Sequence, residues 1–484
     1  MFCTGLFIKN KTFMRLKFYL ILVIFITVNY SATAQDYFGY SNFGGITSAI
    51  SNPSNIAASR YRVNLNLIST NFYIGTNMYQ LQNKKFFSFN FNGLQEGTDY
   101  SKIDNGETKH FTANVDYLGP SVLFNINKKI AIGLTTRLRT MMNLDNLSNN
   151  SFNVFSNTNT NLYDHNFTEN NVGYNVHSFA DFGLVYAQQL YKTSQHDVKV
   201  GVTLKLVKGI AAGTIYINKV NVLNLKNADT ITQVNGNFDV AYSKNAEGLL
   251  TGDMTAGFSQ ISSSDAGTDL AADLGVVYEY KNNKKYPYQF RVGLSVTDLS
   301  FASLTYKNGS QGGNYDINKA NTSNILTSSV AQLPGESYTQ YLQRLSSLST
   351  PCFLTVVVQD SAKDFTMNLP TALHLNADIH IIKNYYVNAY FLFNLIETNK
   401  KGSNYYTSTY IVSPRFDKKW FSLFVPLSYN SLSEFNWGLG AKFGPLFIGS
   451  GSVFSNLLKN NVHNTDLKLS LSIPIFRSYK STQE

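Results

Sequence analysis

"DVKVGVTLKL", Asp197 to Leu206, alternates without a break. Val198, Val200, Val202, Leu204 and Leu206 share one face, and Lys199, Gly201, Thr203 and Lys205 share the other. That is the period of two that a half-buried strand requires. "ALHLNADIHI" repeats it, with Leu373, Leu375, Ala377, Ile379 and Ile381 opposite His374, Asn376, Asp378 and His380. In "DLKLSLSIPIF", Leu467, Leu469, Leu471, Ile473 and Ile475 stand against Lys468, Ser470 and Ser472. A soluble sandwich alternates too, so the connections decide. Short turns at Asn127–Lys129, Lys192–Asp197, Lys281–Tyr286, Lys383–Asn384, Asp417–Lys419 and Gly444–Pro445 alternate with longer polar stretches near 146–174, 213–268, 306–368, 398–403, 431–434 and 455–465. Short turn then long loop is the order of a membrane barrel with periplasmic turns and external loops. Counting back from Phe476 places strands near 86, 113, 130, 175, 198, 269, 287, 369, 385, 404, 420, 435, 446 and 466. The expected fold is all-β: a closed antiparallel transmembrane β-barrel of about 14 strands, or 16 if residues 61–80 add a hairpin.

The beginning of the chain reads as a secretory signal peptide over 1–34. Lys9, Lys11, Arg15 and Lys17 precede an apolar run from Phe18 to Val28, and Ala32-Thr33-Ala34 before Gln35 forms the cleavage site. The run is shorter than the roughly 20 residues a spanning helix needs. Cleavage removes Cys3 and leaves Cys352 as the lone thiol, which excludes an internal disulfide. It also removes four of the ten net positive charges. The remaining lysines are scattered through turns, which speaks against nucleic-acid binding. Charged residues make up 14% of the chain and aromatics 14%, a balance that suits a barrel in lipid. The expected domains are a hatch or plug segment at 35–60, the barrel at 61–476 and a tail at 477–484.

"GGITSAISNPSNIAAS", Gly44 to Ser59, is too small and polar for a membrane span and too rich in breakers for a strand. Pro53 fixes its own φ and lacks a donor, while Asn52 and Asn55 can close local turns. The segment is either a plug that gates passage or a terminus tucked in for stability. The lumen face is expected to carry Arg137, Arg139, Lys199, Lys205, Arg291 and Lys468 with Asp181, Asp273, Glu279 and Asp378. These charges either line a conduit or pair with one another to fill the barrel. "ADFGLVYA" at Ala180 returns as "ADLGVVYE" at Ala272, and "VKVGVTLKL" returns as "FRVGLSVTD", both displaced by 92 residues; Gly183 and Gly275 are expected to face inward.

Other chemistry is sparse. His374 and His380 share a face but stand about 20 Å apart along a strand, too far to hold one metal ion. No G-x-S-x-G or HExxH motif occurs, so neither a metal, a cofactor nor an enzyme activity is expected. Tyr338, Tyr341, Leu342, Leu345 and Leu348 fall on one helical face, as a lid or as packing for their own loop. Trp420, Trp437, Tyr385, Tyr386, Tyr390 and Phe424 suit an interfacial girdle.

Taken together, the A-x-A-Q signal end, the Asn-Pro-Ser-Asn stretch, "VGLSVTDLS" and "LPTALHLNADIHIIKNYYVNAY" resemble an uncharacterised family of outer-membrane barrels of the Bacteroidota. More distantly, "SAISNPSNIA" resembles the N-terminal hatch of long-chain fatty-acid transporters; Asn52 and Pro53 match its Asn-Pro-Ala motif, and Ser54 replaces the alanine. The resemblance implies a 14-stranded barrel that passes hydrophobic molecules. The expectation is therefore an outer-membrane barrel of a Gram-negative bacterium acting as a passive channel or transporter for small molecules, hydrophobic ones if the resemblance extends to the cargo. The rival is a non-transporting platform barrel of an envelope assembly, and an outer-membrane enzyme is a distant third. Expected partners are outer-membrane lipid, the barrel-assembly machinery, and either a hydrophobic small molecule or an envelope protein.

Overall fold

The computed structural model describes residues 39–477, except 88–93, 156–166, 227–229, 247–265, 283–285, 318–324, 327–332, 334–335, 348–353 and 360–362. The signal peptide, Leu348 and Cys352 therefore lie outside the described residues. Fourteen staves close into a ring. They are β1 (Tyr61–Thr76), β2 (Lys109–Leu118 continued by Ser121–Asn125), β3 (Ile130–Leu147), β4 (Phe167–Lys192), β5 (His196–Lys226), β6 (Thr268–Tyr280) and β7 (Phe290–Ser300). The second half comprises β8 (Ala372–Ile382), β9 (Tyr385–Asn394), β10 (Thr409–Asp417), β11 (Phe421–Phe424 with Leu427–Asn430), β12 (Glu434–Trp437 with Leu439–Phe443), β13 (Leu446–Ser450) and β14 (Asn464–Phe476). Each pairs antiparallel with its neighbours, and β14 returns to β1, with Phe476 opposite Tyr61 and Asn464 opposite Gly75. Among the described residues no helix is long and apolar enough to cross a membrane; the strands do so.

The alternation decides which side chains meet lipid. Phe182, Leu184, Leu204, Leu206, Leu270, Leu274, Ile379, Ile381, Ile473 and Ile475 are exposed on the outer surface. Their strand neighbours Asp181, Lys205, Asp273 and Asp378 are buried inside. An apolar exterior around a polar, buried interior inverts the arrangement of a soluble protein and is that of an outer-membrane barrel.

Three expectations need correction. The stave expected near residue 86 is not in the wall, since Asn83–Phe87 is a short helix. Its place in the count is taken by residues 61–76, which run as one strand instead of a hairpin. Ser69, Thr70 and Asn71 at its centre make no turn and stay in register with Ser470, Leu469 and Lys468. Second, β4 begins at Phe167 and β5 continues to Lys226, well past the roughly 10 residues a spanning strand needs. Their outer ends, with Thr230–Tyr242, Gly313–Ile317 and Leu354–Gln359, form a sheet projecting beyond the barrel. Third, Tyr386, Tyr390 and Phe424 do not belong to the girdle. They are buried inside, because the period of two that sends Tyr385 outward sends Tyr386 inward.

Candidate functional site

The lumen is occupied from both ends. On the side of the short turns, residues 39–60 fold into two single-turn 3-10 helices, Gly45–Ala49 and Pro53–Ile56. Asn52 starts the second: its side-chain oxygen accepts from Ser54 N at 3.0 Å and Ser54 Oγ at 2.5 Å, and Pro53 stands where no donor is needed. The Asn52 amide nitrogen then reaches the wall, donating to the carbonyls of Val276 on β6 and Leu294 on β7 at 3.4 and 3.3 Å.

The wall is shaped to receive this turn. A Cβ built on Gly275 would sit 2.1 Å from Asn52 Oδ1, and one on Gly201 would sit 2.4 Å from Ser54 N. Gly275 and Gly201 are directly paired across β6 and β5, so together they form a floor on which the Asn-Pro-Ser backbone rests. Gly183 makes room instead for its neighbours Thr135 and Thr203. The echoed glycines thus face inward as expected; Gly201, Gly275 and, less tightly, Gly293 make room for the N-terminal segment, and Gly183 does not.

Apolar contact completes the seat. Phe43, Ile46, Ala49, Ile56 and Ala57 pack on Leu123, Ala131, Val185 and Ala187 inside the barrel. Ile46 and Ile56 are fully buried, worth about 1.5–3 kcal/mol each. Side chains from widely separated staves tie the segment down. Ile46 N donates to Asn64 Oδ1 on β1 at 2.9 Å. Arg291 on β7 donates to Asn55 Oδ1 at 2.6 Å, and Ser295 Oγ donates to the Ser51 carbonyl at 2.5 Å. Asp417 on β10 accepts from Asn42 N at 2.9 Å and Ser41 Oγ at 3.1 Å, and Lys442 on β12 donates to the Phe43 carbonyl at 3.0 Å. A segment held by β1, β7, β10 and β12 of one ring must cross its lumen.

The second obstruction enters from the long-loop side and was not legible in the sequence. Leu304–Lys307 and Asp364–Met367 pair into a two-stranded sheet. Tyr306, fully buried, stacks on Phe365 and hydrogen-bonds His177 Nε2 on β4 at 2.8 Å. Beside it, residues 395–408 leave β9 and cross to the opposite wall. Gly402 N donates to Asn175 Oδ1 on β4 at 3.0 Å. The Tyr405 carbonyl accepts from Asn143 Nδ2 on β3 at 3.3 Å, and its hydroxyl donates to Asp145. Arg137 donates to Tyr406 Oη at 3.3 Å. Farther out, the helix Tyr338–Ser347 buries Leu342 and Leu345 against Ile210, Val240 and Tyr242, so the stripe packs onto the projecting sheet.

The ten charges expected on the lumen face are all buried, and the following of them stand in ion pairs. Arg139 bridges Asp181 at 2.8 Å and Asp298 at 2.6 Å. Lys205 bridges Asp273 at 2.7 Å and Asp298 at 2.8 Å. Arg137 forks onto Asp116, with Nε to Oδ1 at 2.8 Å. Nearer the short turns, Lys199 meets Glu279 at 2.6 Å, while Arg291 stands 3.9 Å from the same carboxylate. Asp378 receives Arg415 at 2.7 Å and the Tyr288 hydroxyl at 2.5 Å. Lys468 is buried on β14. Sequence reading missed Asp116, Asp298, Arg415 and Asp417. Asp116 and Arg415 were open to discovery by extending the alternation through β2 and β10. Asp298 was not: it has φ 56° in a bulge where β7 slips against β6, and this turns its carboxylate inward out of phase. The two histidines serve separate roles, His374 between Thr297 and Tyr390 and His380 on the Lys383 carbonyl.

Between the two obstructions lies a cavity of about 120 Å³. Its floor is Thr47, Ile50 and Ser51 of the N-terminal segment, and its roof includes Tyr406 and Thr407.

This geometry defines a closed, fourteen-strand outer-membrane β-barrel with its N-terminal segment folded inside. A model of the family of unknown function DUF5723 matches residues 53–451, and the chain belongs to that family. No curated protein matches it. Among solved structures the chain is similar to a deltaS2 mutant of the monoaromatic hydrocarbon channel TodX, at 10% identity over 92% of this chain and 100% of that one, with a TM-score of 0.43. The toluene transporter TodX of P. putida is similar at 10% identity over 90% and 95%, with a TM-score of 0.41. A FadL homologue of Pseudomonas aeruginosa is similar at 10% identity over 92% and 99%, with a TM-score of 0.30.

Proposed function

We propose that this protein is a gated outer-membrane channel for small molecules, with an apolar component to its selectivity. The observation that carries the reading is the double obstruction. A barrel of about eight strands is filled by its own side chains, whereas wider rings leave a lumen. Here a fourteen-stave ring is stopped at both ends by main chain, with a cavity between the two obstructions. A terminal segment held by hydrogen bonds and small contact faces can leave as a unit without opening the wall. In this reading the chain enters the outer membrane of a Gram-negative bacterium after loss of its signal peptide, is inserted by the barrel-assembly machinery, and has no catalytic role. The projecting sheet favours a second reading, a platform for an envelope partner.

Planar-bilayer conductance separates them. Four proteins are compared: the mature chain, a version lacking 37–58, a version with 303–368 and 398–406 each replaced by a short Gly-Ser turn, and the combination. The expected result is a silent parent and a conducting combination. A combination that retains the heat-modifiable barrel on gels yet stays silent overturns the channel reading in favour of the platform.

A further inference from the structure

The cavity between the plugs has two unlike walls. On one side β1 and β2 present Ser69, Asn71 and Asn114, with Tyr73 directly opposite Asn114 and Asn71 opposite Asp116. Facing them on β9 stand Leu392 and the ring of Tyr390, with Ile50 in the floor and Met141 on β3 directly beside Asn114. Asn114 is 6% exposed, and its side-chain oxygen has no hydrogen-bond partner. The side-chain oxygen of Asn71 is buried and equally without one. A buried carboxamide left unsatisfied costs stability, which natural proteins rarely accept without a use for the group. These two neighbours belong to the same polar wall and border the same cavity.

Resting on the channel reading, we propose that this cavity is a selectivity site for small neutral molecules that combine an apolar body of single-ring size with a hydroxyl group. The size follows from the volume: an engineered apolar cavity of about 150 Å³ takes up benzene. The hydroxyl follows from the carboxamides. The two ends of an amide side chain exchange by a simple flip, so the polar wall can offer acceptors or donors, and a hydroxyl satisfies either. A carboxylate would meet Lys468 at the cavity wall, but Arg137 and Arg139 are already engaged by Asp116 and Asp298, whose charges repel it.

The test is calorimetric titration of phenol, toluene and benzoate into the full mature protein in nanodiscs, with empty nanodiscs subtracted, repeated on Asn114→Leu and Asn71→Leu. Phenol and toluene have nearly the same shape and differ in the donor. The expected result is phenol binding about tenfold tighter than toluene and benzoate binding weakest. Asn114→Leu is expected to remove the phenol preference while leaving toluene binding intact, which a merely misfolded barrel would not do. Equal binding of phenol and toluene to the parent, or a phenol preference unchanged in both variants, overturns the proposal. Absence of binding by all three probes also overturns it and leaves the cavity to water. Conductance of the doubly deleted barrel is read separately. Phenol binding with a silent deletion protein defeats the channel and keeps the site, and a conducting one without phenol binding does the reverse.

Discussion

The two plugs close one lumen by different physical means. The inner plug is a single terminal segment whose contacts are specific and prepared: a glycine floor on β5 and β6, and Asn64, Arg291, Ser295, Asp417 and Lys442 aimed at it. The outer plug is made of loop pieces anchored at both ends in the wall, seated by Tyr306, Tyr405 and their hydrogen bonds to His177 and Asp145. Releasing the first requires breaking contacts along one tethered strip. Releasing the second requires loops to rearrange while their ends stay in place. The inner plug is therefore the better built of the two for leaving as a body, and the outer for local fluctuation.

The largest effect is expected where both plugs share a wall. Arg139→Met removes the ion-pair partner of Asp181 and leaves Asp298 to share Lys205 with Asp273. Stranding buried carboxylates in this way costs about 3–5 kcal/mol. Urea unfolding followed by the gel shift of the folded barrel is expected to show that loss, with both plugs released together. A variant as stable as the parent would mean the ion-pair network is not what holds the wall. Next comes Gly275→Leu, which drives a side chain into Asn52. Overpacking of this kind costs about 1–3 kcal/mol. Hydrogen exchange is expected to rise over 39–60 and to stay unchanged over 395–408. Equal exchange in both segments would collapse the distinction between them.

The difference between the plugs also marks what the sequence disclosed. Strands were legible because alternation is written residue by residue, as in Val198 to Leu206. The inner segment was legible as a compact turn because Asn52-Pro53 interrupts that alternation with a breaker and a cap. The outer plug carries no such mark. Tyr306 and Tyr405 sit in polar loops like many other tyrosines, and what makes them plugs is the inner face of staves more than a hundred residues away in the chain. Gly201 and Gly275 were legible as inward-facing glycines, but not as a floor, because nothing local couples them to residue 52. Asp298 escaped for the opposite reason: its bulge breaks the very periodicity by which its neighbours were found.

A smaller test probes the outer plug alone. Tyr405→Phe removes the hydroxyl that serves Asp145, at a cost of about 0.5–1.5 kcal/mol. Exchange is expected to quicken over 395–408 while 39–60 keeps its protection. The reverse pattern would show that the outer loops hold the inner segment in place.

The smallest effect is expected at the outermost layer, where Glu336 receives Arg344 Nε at 2.8 Å. The hydrogen bond from the guanidinium holds the Glu336 carboxyl below its usual value of 4.5. A carboxyl lowered on folding adds stability that is complete above its unfolded pKa and is lost as pH falls through the folded one. Acidification below about pH 4.5 is therefore expected to loosen the helix Tyr338–Ser347, by no more than about 1 kcal/mol for a pair at the surface. Exchange over 338–347 in the parent should rise across that window, and Glu336→Gln should abolish the dependence there without altering either plug. If instead the inner plug responds to the same acidification in both proteins, the pH-sensitive element lies in the lumen, and the two plugs are coupled through the wall they share.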